Sequence, residues 1–104
     1  MNIVMLCNLG MSTGMMVKKL EQEAAKRNLE ATVHAYPMVE LDEHLNGTDA
    51  ILLGPQIRFA LDDIKKQAGS IPVMAIAPQD FGTMNAAKVL DELMKLMKVN
   101  ADSF

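Results

Sequence analysis

The sequence contains no tryptophan, one tyrosine and three phenylalanines. So few aromatic rings leave nothing to build the stacking platforms that hold single-stranded nucleic acid. It has no basic excess either, with 10 basic against 13 acidic residues and a net charge of −3, so the electrostatic footprint of a nucleic-acid binder is missing. No apolar run approaches the roughly 20 residues that span a bilayer, and no membrane insertion is expected. The amino-terminal stretch, residues 1–6, lacks a basic leader and is interrupted early by Asn8 and Gly10. It reads as a strand and not as a signal peptide. Cysteine occurs once, at Cys7, which excludes an internal disulfide and the paired-thiol C-x-x-C motif. The two histidines, His34 and His44, stand too far from Cys7 in sequence for a known zinc spacing, so no metal and no cofactor is expected. These absences point to a cytoplasmic protein.

Among its 104 residues, half are apolar and 22% charged, the balance of a chain that folds around a core rather than staying disordered. That length suits one domain over residues 1–104. The ten methionines read mainly as adaptable core filler. Residues 3–6 form a continuous apolar run, as a buried parallel strand does. Residues 8–14 read as a loop, with Ser12 or Thr13 capping the helix that follows. Its inward stripe is Met16, Val17, Leu20 and Ala24, and Asn28 is its stop. Further strands are expected at 31–36, 50–53 and 73–76. A short helix is expected around 39–45, another carrying Ile57, Leu61 and Ile64, and a last one over 83–98 with Ala86, Val89, Leu90 and Leu93 inward. The terminal residues 100–104 are expected to fray.

Four strands alternating with helices imply an α/β three-layer sandwich around a parallel sheet, flavodoxin-like, with strand order 2-1-3-4. Right-handed crossovers bring residues 8–13, 54–57 and 77–82 to one sheet edge, where such folds bind ligands. Cys7 sits at that edge. Gly10 lets successive backbone N–H groups turn inward, Ser12 and Thr13 add hydroxyls, and the next helix aims its amino-terminus at the same spot. Those surroundings suit an anion. A thiolate attacks well and also leaves well, so Cys7 can hold a phosphoryl group covalently for a short time. By residues alone a phosphatase, a phosphoryl carrier and a passive anion-binding module with a packed Cys7 all remain open.

Three known patterns place a key residue in this loop. The Walker A loop needs G-x-x-x-x-G-K-[ST]. Gly10 and Gly14 are only four apart and no lysine follows. The low-molecular-weight tyrosine phosphatases carry C-x5-R-[ST], but Thr13 stands where the arginine should clamp phosphate. Asp80 is the one well-placed acid for such an enzyme, and it reads as a helix-starting or solvated residue. The third pattern fits. Cys7-x-x-Gly10-Met11-Ser12-Thr13, followed after the third strand by Leu52-Leu53-Gly54-Pro55-Gln56-Ile57, closely resembles the IIB component of the phosphoenolpyruvate-dependent sugar phosphotransferase system, lactose/cellobiose (N,N′-diacetylchitobiose) class. The resemblance covers essentially the whole chain.

The resemblance implies that phosphohistidine on a IIA component donates to Cys7, and that phosphocysteine then donates to a disaccharide in the membrane IIC component. It implies a phosphate cradle of Asn8, Leu9, Gly10, Met11, Ser12 and Thr13, with Gln56, Arg58 and Asp80 as accessory or partner contacts. The sugar, of cellobiose, chitobiose or lactose type, stays open. The missing arginine acquires a meaning, because a carrier must not activate water. Replacing Thr13 with arginine is then expected to raise phosphatase activity. His34 reads as structural or surface, His44 as solvated, and Leu9, Met11 and Phe81 as either docking surface or core. Nothing signals an oligomer, and a monomer is expected.

Overall fold

A computed structural model describes residues 1–7 and 11–102. Within them the chain runs β1 (Asn2–Cys7), α1 (Met11–Lys26), β2 (Thr32–Pro37), a 3-10 segment (Met38–His44) and β3 (Ala50–Leu53). A second 3-10 segment (Pro55–Ala60) follows, then α2 (Leu61–Ala68), β4 (Val73–Ala75), α3 (Pro78–Gly82) and α4 (Ala86–Asp102). The strands form one parallel sheet in the expected order, β2-β1-β3-β4.

The two central strands are apolar throughout because both their faces are covered. Successive side chains alternate across a strand. Ile3, Met5, Ala50 and Leu52 therefore enter a core shared with Met16 and Leu20 of α1 and Val89, Leu90 and Leu93 of α4. Val4, Leu6, Ile51 and Leu53 enter a second core with Leu41, Ile57 and Ile64. Most methionines serve as the expected filler: Met5 and Met16 are fully enclosed, and Met74, Met84, Met94 and Met97 pack against the first core.

Helix α1 ends where Asn28 takes a left-handed backbone, φ 57°. The Leu29 N–H donates to the Ala24 carbonyl at 2.9 Å and the Asn28 N–H to Ala25 at 3.1 Å, the bond pair of a Schellman cap. Arg27 then ties α1 to α4, pairing with Asp91 at 2.6 Å and Glu23 at 3.3 Å and donating to the Ala87 carbonyl at 3.1 Å. The hydrogen bond to Asp91 is the main reason the guanidinium's pKa is raised.

Three expectations need correction. Residues 11–14 are the first turn of α1 and not loop, so Ser12 and Thr13 lie inside the helix and neither is its cap. The segment after β4 is helical, because Pro78 at the first position of α3 has its φ already set for a helix. The last helix consequently starts later than residue 83. Met84, at φ 54°, breaks the chain, and Asn85 caps α4 by accepting the Lys88 N–H at 3.2 Å. At its other end α4 continues through Asp102, so residues 100–102 are helical. Removing the cap in Asn85→Ala should lower the unfolding free energy by about 1 kcal/mol in a denaturant titration. No change would mean that the bond contributes nothing.

Candidate functional site

Cys7 is the last residue of β1, a central strand, and lies beside Pro37 of β2 on one flank. On the other flank the Gly54 N–H donates to the Leu6 carbonyl at 2.9 Å, and the Ile76 N–H donates to Leu53 at 2.8 Å. These bonds extend the sheet register, so Cys7, Gly54 and Ile76 form one lateral row at its carboxyl edge. Side-chain alternation puts the row on the face covered by α1 and α4. Ile76 closes the core below, being 1% exposed. Cys7 is only 7% exposed, so its sulfur is recessed at the edge.

Gly54 keeps the space beside that sulfur open. A Cβ built there would stand 3.6 Å from the Cys7 Cβ and 2.7 Å from Oε1 of Gln56. The Gln56 amide thus folds back over Gly54, on the flank of Cys7. Substituting Gly54→Leu is expected to displace Gln56 and fill this approach. It should cost about 1–3 kcal/mol in stability and slow alkylation of Cys7 by iodoacetamide severalfold. An unchanged alkylation rate would show that the gap is not the way in.

Helix α1 begins four residues beyond Cys7, and its first-turn N–H groups have no partners within the helix. Its first turn carries no acidic residue, whereas α2 begins with Asp62 and Asp63. Acidic side chains there would offset the helix's positive end, so α1 leaves that end available to an anion. Thr13, in this turn, is buried at 5% exposure. Arginine at position 13 would have to enter the core, so Thr13→Arg would damage the fold before it tested phosphatase activity. Asn8, Leu9 and Gly10 lie outside the described residues, as do the side chains of Met11 and Ser12.

The remaining sequence candidates fall in different places. Arg58 is exposed in the 3-10 segment beyond Gly54, and among the described residues it forms no ion pair. Asp80 is neither solvated nor at the surface. It is 3% exposed, its Oδ1 lies 3.7 Å from the Lys88 ammonium, and its Oδ2 is buried with no hydrogen-bond partner among the described residues. Phe81 is buried in the first core, which leaves it no docking role. His44 is half-buried rather than solvated, its ring stacked on Tyr36 at 3.5 Å between centroids. Glu40, Glu43 and His44 bring potential metal-ligating atoms within 4.8 Å of one another, a group that does not include Cys7. His34 is exposed on β2 and pairs with Val4, three residues back from Cys7.

Sequence reasoning missed three exposed apolar side chains: Met15, Val39 and Phe59, at 55%, 88% and 78% exposure. Phe59 carried a signal, since it falls off the inward spacing of Ile57, Leu61 and Ile64. Among the described residues no helix is long and apolar enough to cross a membrane.

Comparison with known proteins places this site in a family context. A family model described as the lactose/cellobiose-specific IIB subunit of the PTS system matches residues 2–92. The PTS galactose-specific EIIB component of Lactococcus lactis subsp. cremoris is 34% identical over 102 residues, covering 91% of this chain and 94% of the relative. The cellobiose-specific EIIB component of Lactococcus lactis subsp. lactis gives the same identity and the same coverage. Among solved structures, the cellobiose-specific phosphotransferase IIB component of Borrelia burgdorferi superposes with a TM-score of 0.78 at 39% identity, over 96% of this chain and 94% of that one.

Proposed function

This chain belongs to the lactose/cellobiose-specific IIB family of the sugar phosphotransferase system, and from that premise we propose that Cys7 carries the phosphoryl group. The Cys7 thiolate attacks the phosphorus of a phosphohistidine on the IIA component. The P–N bond breaks as the P–S bond forms, and the freed imidazole keeps its lone pair or takes a proton from water. In the second step a hydroxyl oxygen of a disaccharide held by the membrane IIC component attacks the same phosphorus. The P–S bond then breaks, the thiolate is regenerated, and the hydroxyl proton passes to the acceptor side. Cysteine suits both halves because its thiolate is at once a strong nucleophile and a good leaving group. No cofactor enters either step. Residues 1–104 work as one unit on the cytoplasmic side.

The observation that carries this reading is the placement of the chain's one cysteine, recessed at the end of a central strand beside the Gly54 gap. Residues 8–13, leading into the acid-free first turn of α1, cradle the phosphoryl oxygens. Gln56 lies on the flank of Cys7 and contacts the group from the side. Arg58 is exposed nearby and meets it as it arrives. A cellobiose-type or lactose-type disaccharide is the acceptor, by likeness to relatives named for cellobiose and galactose.

The other reading, a free-standing phosphomonoesterase, is disfavoured by two features. Thr13 occupies the place of the phosphate-clamping arginine. A general acid must also reach the leaving group, and Asp80 is enclosed at 3% exposure. The deciding experiment mixes radiolabelled phospho-IIA with the protein and, separately, an aryl phosphate with the protein alone. We expect the label to move onto the chain and the aryl phosphate to be left intact. Steady hydrolysis of the aryl phosphate with no labelled chain would reverse the conclusion.

A further inference from the structure

The large apolar side chains left exposed among the described residues share one end of the molecule. Met15, Val39 and Phe59 lie in the segments that follow β1, β2 and β3, so all three belong to the carboxyl edge that holds Cys7. Val39 comes two residues after Pro37, which pairs with Cys7, and Phe59 five residues after Gly54, whose Cβ position lies 3.6 Å from the Cys7 Cβ. The neighbours of both, Leu41 on one side and Ile57 and Ala60 on the other, belong to the core on the α2 side of the sheet. Strands β2 and β3 flank β1 at about 4.8 Å each. Val39 and Phe59 therefore bracket the end of β1 on the side away from α1, and Arg58 adjoins Phe59. A phenylalanine at 78% and a valine at 88% exposure forgo the burial that their hydrocarbon would gain inside the fold. Exposed apolar groups gathered beside a reactive centre mark an interaction surface.

We infer that Val39 and Phe59, with Arg58 beside them, form the docking surface for the phosphohistidine donor protein. This rests on the carrier reading, because it concerns the partner that must reach the same sulfur. Cys7 is 7% exposed, so a protein-borne imidazole can approach the sulfur only if the donor's surface closes over the surrounding edge. Charge selects the donor over the acceptor. The donor arrives carrying an anionic phosphoryl group, which matches an exposed guanidinium without an ion pair among the described residues. The acceptor offers a neutral sugar hydroxyl and has no such need of a cation.

The test compares wild type with a Val39→Asp/Phe59→Asp double variant, and with Gln22→Asp on an exposed turn of α1 as control. The initial rate of transfer from phospho-IIA is measured against donor concentration. The double variant is expected to raise KM for the donor at least about tenfold while kcat stays within about twofold, since an apolar pair central to an interface carries much of its affinity. Gln22→Asp should match wild type. Protein phosphorylated to completion at high donor concentration should then pass its label to membranes containing the acceptor component at the wild-type rate. If the aspartates disturb the denaturation midpoint, Val39→Ser/Phe59→Ser must give the same direction of change.

An unchanged KM with a normally labelled wild type would overturn the inference. So would a normal donor step with a slowed acceptor step, which would assign the surface to the membrane component. Wild-type self-association in sedimentation that the double variant abolishes, together with an unchanged donor KM, would assign it to a second copy of the chain and overturn it as well. A wild type that accepts no label at all would instead bring down the carrier reading, so the two failures are distinguishable.

Discussion

Cys7→Ser is expected to accept the phosphoryl group at less than about a thousandth of the wild-type rate while keeping the fold. A serine hydroxyl stays un-ionised at neutral pH and is a poor nucleophile without a base. It is also a far worse leaving group than a thiolate, so both half-reactions suffer. The change is sterically mild, since the residue ends β1 and is 7% exposed. Placing a hydroxyl there should cost about 1 kcal/mol. Loss of transfer with a near-normal unfolding curve would therefore locate the effect in the chemistry. A variant labelled as fast as wild type would exclude Cys7 as the carrier.

The largest expected stability effect lies one row below the site. Leu52→Ala should destabilise the protein by about 2–5 kcal/mol, read as a lowered denaturant midpoint with little change in slope. Leu52 is fully buried, on a central strand, and its neighbours in the core come from α1 and α4, which the sheet holds in place. The cavity cannot be closed by a small rotation of one helix. For a chain of this size each kcal/mol corresponds to about 4–8 °C in Tm, so the melting temperature should fall by on the order of 10 °C or more. Gly54 follows β3 by one residue, so this variant should also loosen the flank of Cys7. A loss below about 1 kcal/mol would mean that the core repacks far more freely than its interlocked faces suggest.

The elements easiest to read from sequence were those buried on both faces. Residues 50–53 are apolar without interruption because β3 has a core on each side, and the structure gives the same bounds. The strand order also followed from the pattern, since alternating strands and helices with right-handed crossovers leave few arrangements. Pro78 was harder. The same residue that can end a strand can open a helix, and a helix as short as α3 leaves no periodicity to detect. Met84 carries no local signal for its left-handed backbone, so the break before α4 was merged into one longer helix.

At the site, the position of Cys7 was legible because it joins a buried strand to a glycine-containing loop. The closeness of Gly54 and Gln56 to it was legible only as a second motif, since lateral register depends on how separate strands align. Asp80 and His44 were read as solvated, and both misreadings share a cause. Their burial is produced by elements distant in sequence: Lys88 and the helices around Asp80, and Tyr36 of β2 under the His44 ring. The docking residues were partly legible, because Phe59 sits out of phase with the inward positions around it.

The central claim is that the phosphoryl group rests on Cys7 sulfur. It is tested most directly by phosphorylating the wild-type chain from phospho-IIA, recording its phosphorus NMR spectrum and mapping the modified peptide by mass spectrometry. The account predicts a thiophosphate resonance that iodine abolishes, with the added mass on the peptide containing Cys7. A phosphoramidate resonance with the mass on His34 or His44, or a modified chain whose Cys7 peptide is untouched, would contradict it.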